Sequence, residues 1–102
     1  MLVFTTLAKK SDANKIARTL LEKKLAACVS VLPQIESHYV WQGKLCHEKE
    51  FLLLIKTLKS QYQELEALLL EIHPYDCPEI FALSFEEVSP AYLKWLQGSV
   101  QS

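Results

Sequence analysis

Glycine is scarce in this chain: two residues in 102, beside four prolines and three cysteines. Two glycines cannot build a GxGxxG turn or a phosphate-cradling loop, so chemistry that depends on either is excluded. So little glycine and proline leaves no flexible linker, which predicts a single domain over residues 1–102. The three cysteines contain no CxxC pair, which excludes a disulfide framework and a four-cysteine zinc site. Free thiols point to a reducing, cytoplasmic setting. Long apolar runs are also missing. Leu25–Val29 and Phe51–Ile55 fall far short of the roughly 20 residues that span a bilayer, so no membrane partner is expected. An excess of charge of one sign is missing too, with eleven basic and twelve acidic residues and a net charge of −1. Nucleic-acid binders are commonly basic, so no nucleic-acid partner is expected either.

What the chain does have is apolar residues, 50% of the total. A short chain has a high ratio of surface to volume, which hints that some of this apolar surface lies between subunits.

The hydrophobic pattern resolves into alternating strands and helices. Residues 2–7 read as a strand. Ser11 is expected to cap a helix with Ala13, Ile16, Ala17, Leu20 and Leu21 on one stripe, and Lys23-Lys24 in its last turn. From Ala27 to Trp41 a long strand places Ala27, Val29, Val31, Ile35, Tyr39 and Trp41 at one parity, predicting one buried face, with a bulge at Pro33. Gln42-Gly43 makes a turn, and Lys44–Thr57 returns as the second arm of a hairpin. Its segment Phe51–Ile55 is apolar on both faces and is expected to be covered on each side.

Ser60 and Gln63 fit a capping box for a second helix carrying Leu65, Leu68, Leu69 and Ile72, which Pro74 ends. Residues 80–85 form a short strand, and Ser89-Pro90 opens a last helix that runs to Gly98. The order βαββαβ plus a helix predicts an α+β fold, a ferredoxin-like sandwich with an overlong hairpin between its second and third strands.

Three groups of side chains carry candidate chemistry. His73 stands at a helix end beside Pro74, within reach of Tyr75, Asp76, Cys77 and Glu79, and imidazole with the Cys77 thiolate suits copper or zinc. The alternative is that His73 caps the last helical carbonyls. In the hairpin, a two-residue turn sets His38 opposite His47 and Cys46 opposite Tyr39; two facing imidazoles hold a metal or simply stand in solvent. Lys56 follows the apolar run and needs a partner such as Glu79. No local signature supports a Cys–His nucleophile pair at Cys28 or Cys77, so an enzyme is not expected.

Several segments together resemble the CutA divalent-cation-tolerance family. They are Leu25-Ala-Ala-Cys28, Tyr39-Val-Trp-Gln-Gly-Lys44, Glu50 with Ile55-Lys-Thr57, His73-Pro-Tyr-Asp-Cys-Pro-Glu-Ile80 and Tyr92-Leu-Lys-Trp95. The resemblance implies a ferredoxin-like subunit of a homotrimer, related to PII-type signalling proteins, with no enzymatic activity. It also implies tolerance of divalent metals, with copper or another divalent ion as the ligand. Copper-binding relatives place a cysteine in the first strand and two histidines before the proline; here those positions hold Thr5, Ile72 and His73. In relatives, residues like Tyr39, Trp41, Lys56, Tyr75 and Glu79 line clefts between subunits suited to a small anionic or polar ligand. That gives a second reading, a PII-like sensor or signalling scaffold.

Overall fold

The computed structural model describes residues 1–100. β1 (Leu2–Leu7) leads into α1 (Lys10–Glu22); β2 (Cys28–Trp41) and β3 (Lys44–Lys56) form the hairpin; α2 (Tyr62–Ile72), β4 (Phe81–Leu83) and α3 (Pro90–Ser99) follow. The four strands make one antiparallel sheet in the order β2-β3-β1-β4.

One face of the sheet is covered. Val3 and Leu7 of β1 and Leu53 and Ile55 of β3 meet Ala13, Ile16 and Leu20 of α1 and Leu65 and Leu69 of α2 in a fully buried core. These positions follow the strand period of two and the helix period of three to four, so each element contributes one stripe. The other face stays open in the single chain. Phe4 stacks on Phe81 there with ring centroids 4.8 Å apart, and Leu32, Phe81 and Leu83 are exposed. Cover on both sides of Phe51–Ile55 is therefore not found within one chain: Leu53 and Ile55 are buried, while Leu52 and Leu54 are only half-buried.

The parity of β2 breaks at Pro33. Leu32 pairs with Leu52 but Ile35 pairs with Glu50, so one extra residue is accommodated between them, and Gln34 takes φ +58°. Proline has no amide hydrogen to give the ladder, and a bulge is where the chain absorbs that loss. Val29 and Val31 pair with Ile55 and Leu53 and face the helices. Beyond the bulge, Tyr39 and Trp41 pair with Cys46 and Lys44 and share the face of Glu50. The single buried face expected from parity is thus two faces joined at a bulge. The hairpin extends past the sheet's covered part, which gives a long axis of 45 Å against 26 and 21 Å.

Helix ends also differ from expectation. α1 is entered from Lys9 with no side-chain cap, since helical geometry begins at Lys10, before Ser11. Its C-terminus is closed by backbone instead of by lysine charge. Lys24 N–H donates to the Leu21 carbonyl and Leu25 N–H to that of Leu20, with Lys24 at φ +56°, the arrangement of a Schellman motif. Ser60 and Gln63 form no capping box; Lys59–Gln61 is a 3₁₀ turn that runs directly into α2. Pro74 does end α2, holding His73 at φ −71°, ψ 133°. β4 is three residues long instead of six because only Phe81–Leu83 finds β1 partners. Ser89 and Pro90 open α3, without a side-chain cap bond, and the helix passes Gly98 by one residue.

Candidate functional site

The segment between α2 and β4 is fixed by one imidazole. Tyr75 N–H donates to His73 Nδ1 at 3.2 Å, which sets the proton on Nε2. Nε2–H then donates to the Thr6 carbonyl at 3.0 Å, with the Thr5 hydroxyl 3.1 Å away. The ring is buried, and burial pushes its pKa below the ordinary value, opposed by the Thr6 hydrogen bond and the charges of Asp12 and Glu50. A metal at His73 would have to displace either the Tyr75 amide or the Nε2 proton. Thr5 and His73, two of the positions where the family resemblance implied ligands, do meet here, with a hydroxyl in place of the expected thiol. Cys77 is exposed and free.

With the segment clasped to β1, Tyr75 reaches the hairpin. Its hydroxyl donates to Glu50 Oε2 at 2.7 Å, and Glu50 is buried. Burial and this carboxylate raise the Tyr75 pKa strongly, so it is a neutral donor at any ordinary pH. Tyr75, Glu50, Thr6, Tyr39, Trp41 and Glu79 line a cavity of about 570 Å³. Tyr39 and Trp41 reach it because the bulge turned them to the Glu50 face.

Three carboxylates, Glu50, Asp76 and Glu79, line this cavity and no lysine or arginine does. Burial first, and then Glu50, raise the Glu79 pKa. Two carboxylates that oppose each other's ionisation in one cavity favour a positively charged occupant. Four of the five cleft residues named from sequence come together. Lys56 does not. Its ammonium contacts the Ser30 hydroxyl and lies 3.8 Å from Cys28 Sγ, on the open sheet face, and no ion pair with Glu79 forms among the described residues. An anionic ligand, which Lys56 would have served, does not match this lining.

The hairpin holds a second group. Gln42 and Gly43 at φ +50° and +77° make the tight turn, and His38 pairs with His47 as the register requires. Their rings stack with centroids 4.1 Å apart and 10° between planes, and His47 Nε2 lies 2.8 Å from Glu36 Oε1. Glu36 is the site residue that sequence reading missed, and Glu50 stood in the family pattern without an assigned role or partner. Glu36 was within reach of that reading, being two positions before His38 on the same strand face. The role of Glu50 was not, because its partners depend on where the bulge falls.

Comparison with known proteins agrees with this architecture. A family model described as CutA1 divalent ion tolerance protein matches residues 1–99. A Xenopus laevis protein called CutA homolog is 45% identical over 93 residues, 91% of this chain and 62% of that protein. The divalent-cation tolerance protein CutA of Thermotoga maritima is 39% identical over 100 residues, 98% of either chain. The structure of the divalent cation tolerance protein Cut A1 from Thermus thermophilus superposes with a TM-score of 0.94 at 38% identity, covering 98% of this chain and 97% of that one. The chain spans 62% or less of the vertebrate relatives it matches and nearly all of the Thermotoga one. Among the described residues no helix is long and apolar enough to cross a membrane. Matched over residues 1–99 and by the whole of its α+β sheet topology, this chain belongs to the CutA1 divalent ion tolerance family.

Proposed function

We propose that this chain is a non-enzymatic protein of tolerance to divalent metals such as copper, which it binds weakly, and that it works as a homotrimer. The observation that carries the reading is family membership along essentially the entire chain, in a fold matched at a TM-score of 0.94. The strand order β2-β3-β1-β4 with α1 and α2 on one face supports a ferredoxin-like subunit folded as a single domain across the described residues 1–100. The three free thiols favour the cytoplasm. Trimer formation is supported by what one chain leaves uncovered: the Phe4–Phe81 stack, Leu32 and Leu83 on the open sheet face, and Trp41 49% exposed on the hairpin. Copper contact at His73 would exchange a hydrogen bond for a metal bond, with Cys77 offering the thiolate. The test is growth of a copper-sensitive bacterial strain that lacks its own CutA. Expression of this chain is expected to restore growth at inhibitory copper; growth no better than with empty vector overturns the reading.

The acidic, aromatic cavity favours a second reading, a PII-like sensor that takes a small ligand between subunits. Its lining selects a cationic ligand, an amine or a guanidinium, with Glu79 as the counter-charge and Tyr39 and Trp41 as the faces it rests on. A thermal-shift screen of small cations should find a stabiliser whose effect Glu79→Gln removes; stabilisation unchanged in that variant counts against the cavity.

A further inference from the structure

We propose that Glu36, His38 and His47 form a binding site for a divalent transition-metal ion on the exposed face of the hairpin. It stands on the hairpin's own geometry and goes beyond the tolerance reading, which can fail while the ion still binds here.

The backbone sets the site. The two-residue turn at Gln42-Gly43 fixes the register, and register puts His38 directly across from His47. Counting from the closing pair Trp41–Lys44, the ladder's alternation makes His38–His47 a pair of the closely spaced kind, where opposed side chains approach most nearly. Glu36, two residues before His38, projects from the same face and reaches diagonally to His47. The ligand atoms of the three residues all lie within 4.8 Å of one another. Among the described residues this is the grouping of three or more potential ligands that comes so close.

The chemistry of the donors selects the ion. A metal with nitrogen ligands at about 2.0–2.1 Å holds neighbouring donors roughly 3–3.4 Å apart. Closing from the present spacing means turning the two imidazoles out of their stack so that both lone pairs converge on the ion, a rotation about the side-chain bonds of exposed residues on a fixed ladder. Two neutral imidazoles and one carboxylate suit copper, nickel or zinc; calcium and magnesium prefer all-oxygen shells. The ion would replace the proton that now bridges His47 Nε2 and Glu36 Oε1, and its remaining positions would hold water. Lys49, paired opposite Glu36, is the cation facing the site and is exposed, so its ammonium is free to move away. Cys46 takes no part, because alternation turns it to the Tyr39 face, where its thiol donates to the Lys44 carbonyl.

Nickel(II) is the probe, since it does not oxidise thiols as copper(II) does. Calorimetric titration of the intact protein is expected to give one ion per chain. Either His38→Ala or His47→Ala should weaken binding by about tenfold or more, and Glu36→Gln by a smaller factor. All three residues are exposed, so circular dichroism should report unchanged folds. Paramagnetic broadening of amide signals should centre on residues 36–38 and 47–49. The proposal is overturned if the His38→Ala/His47→Ala protein binds nickel as tightly as the unaltered one, if the unaltered protein binds none, or if the broadening centres on residues 73–79.

Discussion

His73 illustrates how a single side chain can anchor the segment that builds a cavity. Its imidazole accepts from the Tyr75 amide and donates to the Thr6 carbonyl, so protonation of Nδ1 would cost the first of these bonds. Because the folded pKa is depressed, the stabilisation is complete above the unfolded value near 6.5. It is lost as pH falls from there through the lowered folded value, since the unfolded chain then binds the extra proton. Thr6, Asp12 and Glu50 pull the other way and narrow that window. Urea unfolding is therefore expected to show His73→Gln less stable than the unaltered protein by about 1–3 kcal/mol at pH 7.5, with the gap shrinking by pH 5. A gap that is constant across that range would contradict the assignment. The sequence singled out His73 from its place between a helical stripe and a proline. Its bond to the Thr6 carbonyl, 67 residues away, leaves no local trace and needed the fold, whereas Thr5 was named beside it only through the family resemblance.

At the scale of elements, the backbone makes its own corrections to the pattern. Strand existence, both long helices, the hairpin turn and the His38–His47 register were legible because each rests on periodicity or turn chemistry confined to neighbours in the chain. Faces beyond Pro33 were not. One extra residue reverses parity, and only pairing with β3 reveals where it is absorbed. Helix starts were misread at Ser11 and Ser60 because a capping residue signals only a nearby boundary: α1 already begins at Lys10, and Ser60 lies inside a 3₁₀ turn.

Two left-handed positions allow a paired test. Lys24 holds φ +56° at the end of α1, where glycine is the unstrained choice, so Lys24→Gly should stabilise by about 1 kcal/mol. Gly43 holds φ +77° in the hairpin turn, with no atom within 4 Å of the place a Cβ would occupy. Gly43→Ala should therefore destabilise by about 1 kcal/mol through backbone strain alone. Denaturation midpoints of the two variants should move in opposite directions; movement in the same direction would contradict the backbone account.

For the whole molecule, the decisive fact is how much apolar surface one chain leaves open. The radius of gyration, 14.3 Å, exceeds the roughly 13 Å typical of a compact chain of this length, and the hairpin accounts for the excess. Leu45 is 84% exposed and Val40 66%, at the hairpin's end on the side of His38 and His47, and the uncovered sheet face on the other side adds Leu32, Phe81 and Leu83. A soluble monomer rarely leaves an apolar surface of such extent open, so neighbours of the same kind are the expected cover. Sequence composition hinted at an interface, and the apolar surface that one chain leaves open lies on the sheet face turned away from α1 and α2 and along the hairpin. Trp41→Glu, which places a charge on that surface, is expected to weaken assembly without altering the core, because Trp41 lies outside it. The measurement that tests the account most directly is native mass spectrometry of the unaltered protein at low micromolar concentration. The account predicts a species of three copies of the 11.7 kDa chain; a single-chain species under those conditions would contradict it.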